Sequence, residues 1–407
     1  MIRASPAPAG LDLPAPIPNN VTAPNIRIVK IFRCCCPARA VLFFESTQCN
    51  VCGRLVGFCP DSHALHAFDF DGALGLWVNP ALPDGYRQCA NYTEHGVCNW
   101  MVPAAEQQPW CRACRCNEVI PDLSLPINLV YWRRLEAAKR YALYTLLELS
   151  LPFASQLETP SGRLGLVFRF MSDRDASSEF TQPLAGFGPI YTGHEYGAIT
   201  INLAEADDIA RTRARVRFGE GYRTLLGHFR HELGHYFWNV MIEPRPWLLR
   251  EFRTMFGDER ADYESALRRY HAEGPVGPWR EDHLSAYASM HPWEDWAECW
   301  AHYMHMIDTL ETAGACGLAL DGGPFEASAG PNLARGVAMR GEALLNDWIR
   351  LSIAMNALNR SMGMEDAYPF VLTAPIRRKL GWIHRLIVRQ GFADSGLPTN
   401  VTRVDAD

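Results

Sequence analysis

The sequence predicts an α+β chain: a small β-rich region with two four-cysteine clusters, then a larger helix-rich region with a modest mixed sheet. Three observations carry that prediction. Eleven of the 13 cysteines lie between Cys34 and Cys116. Long amphipathic helical patterns begin only after about Pro121. Between them one run, Gly-Ala-Ile-Thr-Ile-Asn-Leu at 197–203, alternates as a strand does. The 407 residues suffice for more than one domain, and 48% hydrophobic against 21% charged residues excludes a mostly disordered or fibrous chain. A formal charge of −6 gives no global basic field for nucleic acid or anionic lipid. No apolar run reaches the roughly 18 residues of a membrane span, so a cytoplasmic protein without a membrane partner is expected.

Residues 1–26, rich in Pro, Ala and Asn, predict a flexible leader. Residues 27–118 form the predicted cysteine domain, with short apolar strands such as Val41-Leu42-Phe43-Phe44 between turn residues. The start lacks a signal-peptide core, which favours metal over disulfides as the use of these thiols. Cys49-x-x-Cys52 and Cys111-x-x-Cys114 each have the spacing of one knuckle of a tetrahedral zinc site. Cys89 and Cys98 complete the second set. The first set needs two thiols from Cys34-Cys35-Cys36, and adjacent residues rarely ligate one ion with good geometry. Cys34 and Cys36 are therefore assigned, and Cys35 is the spare. Cys59 and Cys116 read as buried small hydrophobes. Basic and acidic residues balance at eight each over this stretch, which disfavours phosphate binding and favours a protein-binding or packing role.

The remainder, 119–407, reads as one helix-rich domain. Trp132, Leu135, Ala138, Ala142, Leu146 and Leu149 predict a helix over 129–149. Tyr222, Leu225, Leu226, Phe229, Leu233, Phe237 and Val240 predict another over about 219–241. Further helices are expected at 342–360 and 375–390, and a Gly- and Ala-rich loop at 313–330.

The 219–241 helix carries His231-Glu232-Leu233-Gly234-His235. Residues four apart share a helix face, so both imidazoles can reach one zinc ion, with Glu232 placed to take a proton from metal-bound water. The longer HExxHxxGxxH pattern fails, because Trp238 and Met241 stand where Gly and His would be needed. The third ligand is therefore sought downstream. Pro292 sits near a helix start, and Glu294 and Glu298 follow one turn apart. Glu294 is assigned to the metal, and Glu298 to the outer N–H of a ligand imidazole. His228 shares the zinc-facing side, yet a fourth protein ligand would close the site, so it is placed behind the ligands or against substrate. His291, His302 and His305 read as structural. Strand 197–203, as an edge strand, would pair with extended substrate.

An HExxH helix after an alternating strand, with a glutamate from a later helix, resembles the gluzincin class of zincin peptidases. In gluzincins of the anthrax-lethal-factor type a Tyr lies seven residues before the glutamate ligand. Tyr287 holds that offset from Glu294, and the resemblance implies a phenol that donates to a developing oxyanion; a core tyrosine is the competing reading. Other matching stretches include Phe43-Phe44-Glu45, Cys98-Asn-Trp100, Ile120-Pro-Asp-Leu123, Glu136-Ala-Ala-Lys-Arg140, Thr192-Gly-His194, Ile199-Thr-Ile-Asn202, Glu205-Ala-Asp207 and Asn359-Arg-Ser-Met-Gly363. Over about residues 30–390 the chain resembles a bacterial family of zinc-binding metallopeptidases, with an N-terminal zinc ribbon ahead of a zincin-like domain. It departs from the family at Cys34-Cys35-Cys36-Pro37, where CxxC-Gly is usual. The resemblance implies a zinc-dependent peptidase with one catalytic and one or two structural Zn²⁺ and a peptide or protein substrate. The alternative is a zinc-stabilised adaptor protein whose HExxH site is inactive or incidental.

Overall fold

Short strands bounded by tight turns organise the cysteine region. β1 (Ile31–Arg33) and β2 (Val41–Phe43) form an antiparallel hairpin. β3 (Leu55–Cys59), β4 (Ala64–Asp71), β5 (Leu76–Val78), β6 (Tyr86–Gln88) and β7 (Met101–Pro103) follow as a five-stranded antiparallel meander. The Cys49–Cys52 turn closes on Gly53, whose amide donates to the Cys49 carbonyl at 2.9 Å. Gly53 has φ 73°, a conformation that Gly alone adopts readily. The computed structural model describes residues 31–161, 163–172, 192–208, 211, 224–275, 277–320, 323–324 and 341–394. The predicted leader, Tyr222 with the rest of 219–223, and most of the latter part of the 313–330 loop lie outside these residues.

Among the described residues the helices of more than two turns are α1 (Pro126–Glu148), α2 (Leu225–Phe237), α3 (Pro246–Phe256), α4 (Tyr263–Glu273), α5 (Pro292–Ala315), α6 (Gly341–Ser361) and α7 (Ala374–Asp394). α1 starts at Pro126, earlier than the apolar pattern, because proline is well suited to a first helical position whose amide would be unpaired anyway. α2 is shorter than expected; the chain widens into a π-helical turn over Trp238–Ile242. At the predicted 313–330 loop, α5 runs on to Ala315 and a small hairpin pairs Ala319–Leu320 with Gly323–Pro324.

The second sheet joins β8 (Asn117–Val119), β9 (Val167–Met171), β10 (Gly193–Glu195) and β11 (Ala198–Asn202) in the order β10-β11-β9-β8. β9 runs parallel to both β8 and β11, and β10 is antiparallel to β11. This corrects the edge-strand expectation: 198–202 is an interior strand. Tyr196 (φ 41°) and Gly197 (φ 87°) reverse the chain in two residues and lay β10 along its outer side. Phe168 and Phe170 of β9 meet Phe229 of α2 at 5.8 and 6.4 Å between ring centroids, which seats α2 on the sheet.

One apolar core runs through both regions. Phe44 and Phe58 of the cysteine region pack on Tyr144 of α1 at 5.2 and 5.8 Å. Arg140 of α1 donates to the Val97 carbonyl. Among the described residues no helix is long and apolar enough to cross a membrane.

Candidate metal centres

Three clusters of metal-binding side chains form among the described residues: Cys34, Cys36, Cys49 and Cys52; Cys89, Cys98, Cys111 and Cys114; and His231, His235 and Glu294. Within each, one donor atom per residue lies within 4.8 Å of all the others. Their spacing fits zinc. Thiolates about 2.3 Å from a tetrahedral ion stand about 3.8 Å apart, and N or O donors at about 2.0–2.1 Å stand about 3.3 Å apart. Cys34 and Cys52 are 3.6 Å apart, and Cys98 and Cys111 are 3.7 Å apart. His231 Nε2 is 2.9 Å from Glu294 Oε2, and His235 Nε2 is 3.5 Å from Glu294 Oε1.

Backbone N–H groups aim at the thiols: Cys36 N to Cys34 Sγ at 3.5 Å, Trp100 N to Cys98 Sγ and Cys111 N to Cys89 Sγ, both at 3.3 Å. Such donors stabilise thiolate charge. The N–H groups of Cys52 and Val51 lower the Cys49 thiol to about 6, whereas burial pushes Cys111 up. Cys35 is exposed and takes a hydrogen bond from Arg54 at 3.4 Å, outside the cluster. Cys59 and Cys116 are buried, as expected.

The third cluster is built by two crossing helices. Thr224 caps α2 by accepting from Gly227 N at 3.0 Å. His291 caps α5 through its ring nitrogen, which accepts from Trp293 N at 3.1 Å, and Pro292 takes the first helical position. Gly234 lets the helices approach: a Cβ there would stand 3.0 Å from Ala297 Cα and 3.2 Å from Trp300 Cβ. Glycine inside a helix costs about 1 kcal/mol relative to alanine, and here the bare backbone admits the α5 contact. Trp296 Nε1 donates to the Gly234 carbonyl at 2.7 Å and locks the crossing.

His231 Nδ1 lies 2.8 Å from Glu298 Oε1, the contact expected of that carboxylate. Burial alone would lower the His231 pKa, but Glu294 and Glu298 together hold it well above the usual range. Burial alone would likewise raise the two carboxyls, yet the imidazoles hold Glu294 well below its usual range and Glu298 down at about 2. The cluster thus favours one positive charge between its carboxylates, which a divalent cation can supply with both imidazoles neutral. Glu232 is buried beside it, and desolvation raises its carboxyl despite the two imidazoles.

His228 does not join the donors; its Nδ1 is 3.4 Å from Glu205 Oε2. Tyr287 is half-buried on a short 3₁₀ turn (Tyr287–Ser289), with its ring 6.2 Å from that of His231. It hydrogen-bonds to Tyr263, whose hydroxyl donates to Glu294 Oε1 at 2.9 Å. Tyr263 escaped the sequence reading because nothing at 31 residues' separation marks it; the one local signal is Asp262, which caps α4 through Ser265 N at 2.9 Å and so fixes the residue after it. The ring of Trp293 lies 3.9 Å from that of His235, a contact between α5 and α2 that no local sequence pattern marks. His194 of β10 stacks on His235 at 6.1 Å. Behind the cluster, Arg230 and Thr145 both bond Asp308, tying α2, α1 and α5 together.

Residues 128–386 match the family model described as "Putative zinc-binding metallo-peptidase", and residues 31–125 match a zinc-ribbon domain. An uncharacterized protein of Mycobacterium bovis and one of Mycobacterium tuberculosis are each 37% identical over 347 residues, which is 85% of this chain and 92% of theirs. No solved structure matches the chain. A helix-borne HExxH, a glutamate returned to it by a second helix and a cysteine-rich β region ahead of both fit what those matches describe: the chain belongs to this family of zinc-binding metallopeptidases.

Proposed function

We propose that the chain is a gluzincin-type peptidase whose catalytic zinc is held by His231, His235 and Glu294, with structural zinc in the two four-cysteine clusters. The observation that carries this reading is the meeting of three donors from α2 and α5 beside the buried Glu232. Three protein donors rather than four is the pattern of hydrolytic zinc sites. When bound there, zinc would supply a Lewis acid that polarises the scissile carbonyl and makes water more acidic.

The chain's own groups do the rest. Glu232 takes the proton of the attacking water and passes it to the leaving amine; burial raises its carboxyl towards the range a proton shuttle needs. Glu298 holds the His231 ring through Nδ1, leaving Nε2 turned to Glu294. Tyr287 donates its phenolic hydrogen to the oxyanion. Strand β10, the outer strand nearest His235 among the described residues, aligns the extended substrate backbone.

Elemental analysis and digestion of an unbiased peptide library, with and without chelator, test the proposal together. Three zinc ions per chain and chelator-sensitive cleavage are expected. Glu232→Gln should keep three zincs and lose at least about a hundredfold in rate. Cleavage at the parental rate by that variant would end the proposal. Two zincs in the parent, a number unchanged when His231 and His235 are replaced, and no cleavage by the parent would instead indicate an adaptor.

A further inference from the structure

Beside the third cluster lies a cavity of about 260 Å³. That is somewhat below the roughly 300–1,000 Å³ of sites for drug-sized ligands and suits one side chain. Trp293, whose ring lies 3.9 Å from that of His235, and Tyr263, which bonds Glu294, belong to its wall, so it opens next to the proposed reacting centre. Trp238 and Tyr196 complete an aromatic lining of four rings.

The charged lining is one-sided. Glu195, Glu243 and Glu259 contribute carboxylates, and among the described residues no Lys or Arg lines the cavity. Glu259 is neutralised by Arg253, which donates to it through Nε at 2.9 Å. Glu195 and Glu243 are exposed, and Glu243 accepts from the Asn239 amide at 2.7 Å. The Asn239 carbonyl oxygen is buried and has no partner among the described residues. The histidines add no positive charge: His194 Nε2 accepts from Gly197 N, and His291 Nδ1 accepts from Trp293 N, so each ring is a neutral tautomer.

We propose that this cavity is a specificity pocket for a lysine or arginine side chain of the substrate, next to the bond that is cut. Aromatic faces attract a desolvated cation, and the two exposed carboxylates draw it in. An uncharged aromatic residue would gain the rings but leave the carboxylates unanswered. The inference rests on the peptidase reading for the word substrate, whereas its chemistry concerns the cavity alone.

The test uses the full zinc-loaded chain and paired peptides that carry lysine or its uncharged isostere norleucine at one position. Binding to the Glu232→Gln chain is measured by calorimetry, and cleavage by the parent is measured separately. Lysine peptides should bind about tenfold tighter, and this preference should shrink as salt rises. Glu195→Gln combined with Glu243→Gln, both at exposed positions, should bring the lysine-to-norleucine ratio to within about twofold of one. Equal binding of the two peptides by Glu232→Gln, a preference for norleucine or phenylalanine, or a ratio untouched by the double substitution would overturn the pocket. Absence of cleavage by the parent, with the binding preference intact, would overturn the peptidase reading and leave a basic-peptide site standing.

Discussion

In the cysteine region each cluster has four donors of one kind, set by tight turns and backed by backbone N–H groups. Between α2 and α5 the cluster has three donors of two kinds, and its supports are side chains: Glu298, Tyr263, and the Trp296 indole across the crossing. On the proposed reading, the difference follows from what each must do. Four thiolates saturate a tetrahedral ion and turn binding energy into folding energy, so local backbone is enough to hold them. A site that works on a substrate keeps fewer donors and needs distant parts of the chain to fix their direction.

The largest effect should come from breaking a four-cysteine cluster. Cys111→Ser removes a thiol buried in the shared core, and structural zinc contributes about 10–16 kcal/mol at neutral pH. The variant should lose one zinc and its cooperative thermal transition by circular dichroism. Glu294→Ala should also lose one zinc yet melt within a few degrees of the parent. If the two variants melt alike, the division into folding and working sites is wrong.

Next in size is the support of the ligand carboxylate. Tyr263→Phe deletes only the hydroxyl that donates to Glu294 Oε1. Loss of such an outer contact costs about 10–100-fold in metal affinity. Chelator competition should show the third zinc released that much more readily, with the four-cysteine zincs unmoved. Unchanged affinity would mean that Glu294 is held by α5 alone.

How much of this was legible in the sequence follows the same line. Donor residues that lie close together on one element and meet in one cluster were readable from spacing: His231 with His235, Cys49 with Cys52, Cys111 with Cys114. Glu294 and Glu298 were readable because Pro292 marks a helix start and one turn separates them. Contacts set by tertiary packing left no pattern. Tyr263 reaches Glu294 only because α4 folds back beside α5, and the edge of the sheet shifted from 197–203 to β10 because a two-residue turn is invisible to strand alternation. The predicted β-rich and helix-rich regions both formed, since period-2 and period-3.6 apolar patterns report burial directly.

A smaller effect tests the helix crossing itself. Gly234→Ala would place a Cβ 3.0 Å from Ala297 Cα, a backbone atom that cannot turn aside, and should destabilise by about 1–3 kcal/mol. Gly381→Ala in α7 meets only Arg385 Nη1 at 3.6 Å and should stabilise by up to about 1 kcal/mol through helix propensity. Denaturant midpoints of the two variants should therefore move in opposite directions. Shifts of the same sign would mean that the α2–α5 crossing relaxes freely, and the ligand geometry would not depend on Gly234.

Two histidines near one another sharpen the comparison at the level of a single proton. His231, between two carboxylates, is held above the usual range; His302, one turn beyond Glu298 on α5, is buried against Phe370 and pairs with the Tyr368 hydroxyl at 2.9 Å. Burial lowers His302 to about 4 despite the nearby Glu298. A lowered histidine binds its proton less well folded than unfolded, so its term favours folding less as pH falls from about 6.5 towards 4. Between pH 7 and pH 5 the loss amounts to about 2 kcal/mol. Ligand protonation also weakens the chain over this range, so the measurement is a difference: denaturant midpoints at both pH values for the parent and for His302→Gln. The variant should lose about 2 kcal/mol less than the parent. Equal losses would mean that His302 takes up its proton in the folded chain, and that the Glu298 carboxylate serves both rings rather than His231 alone.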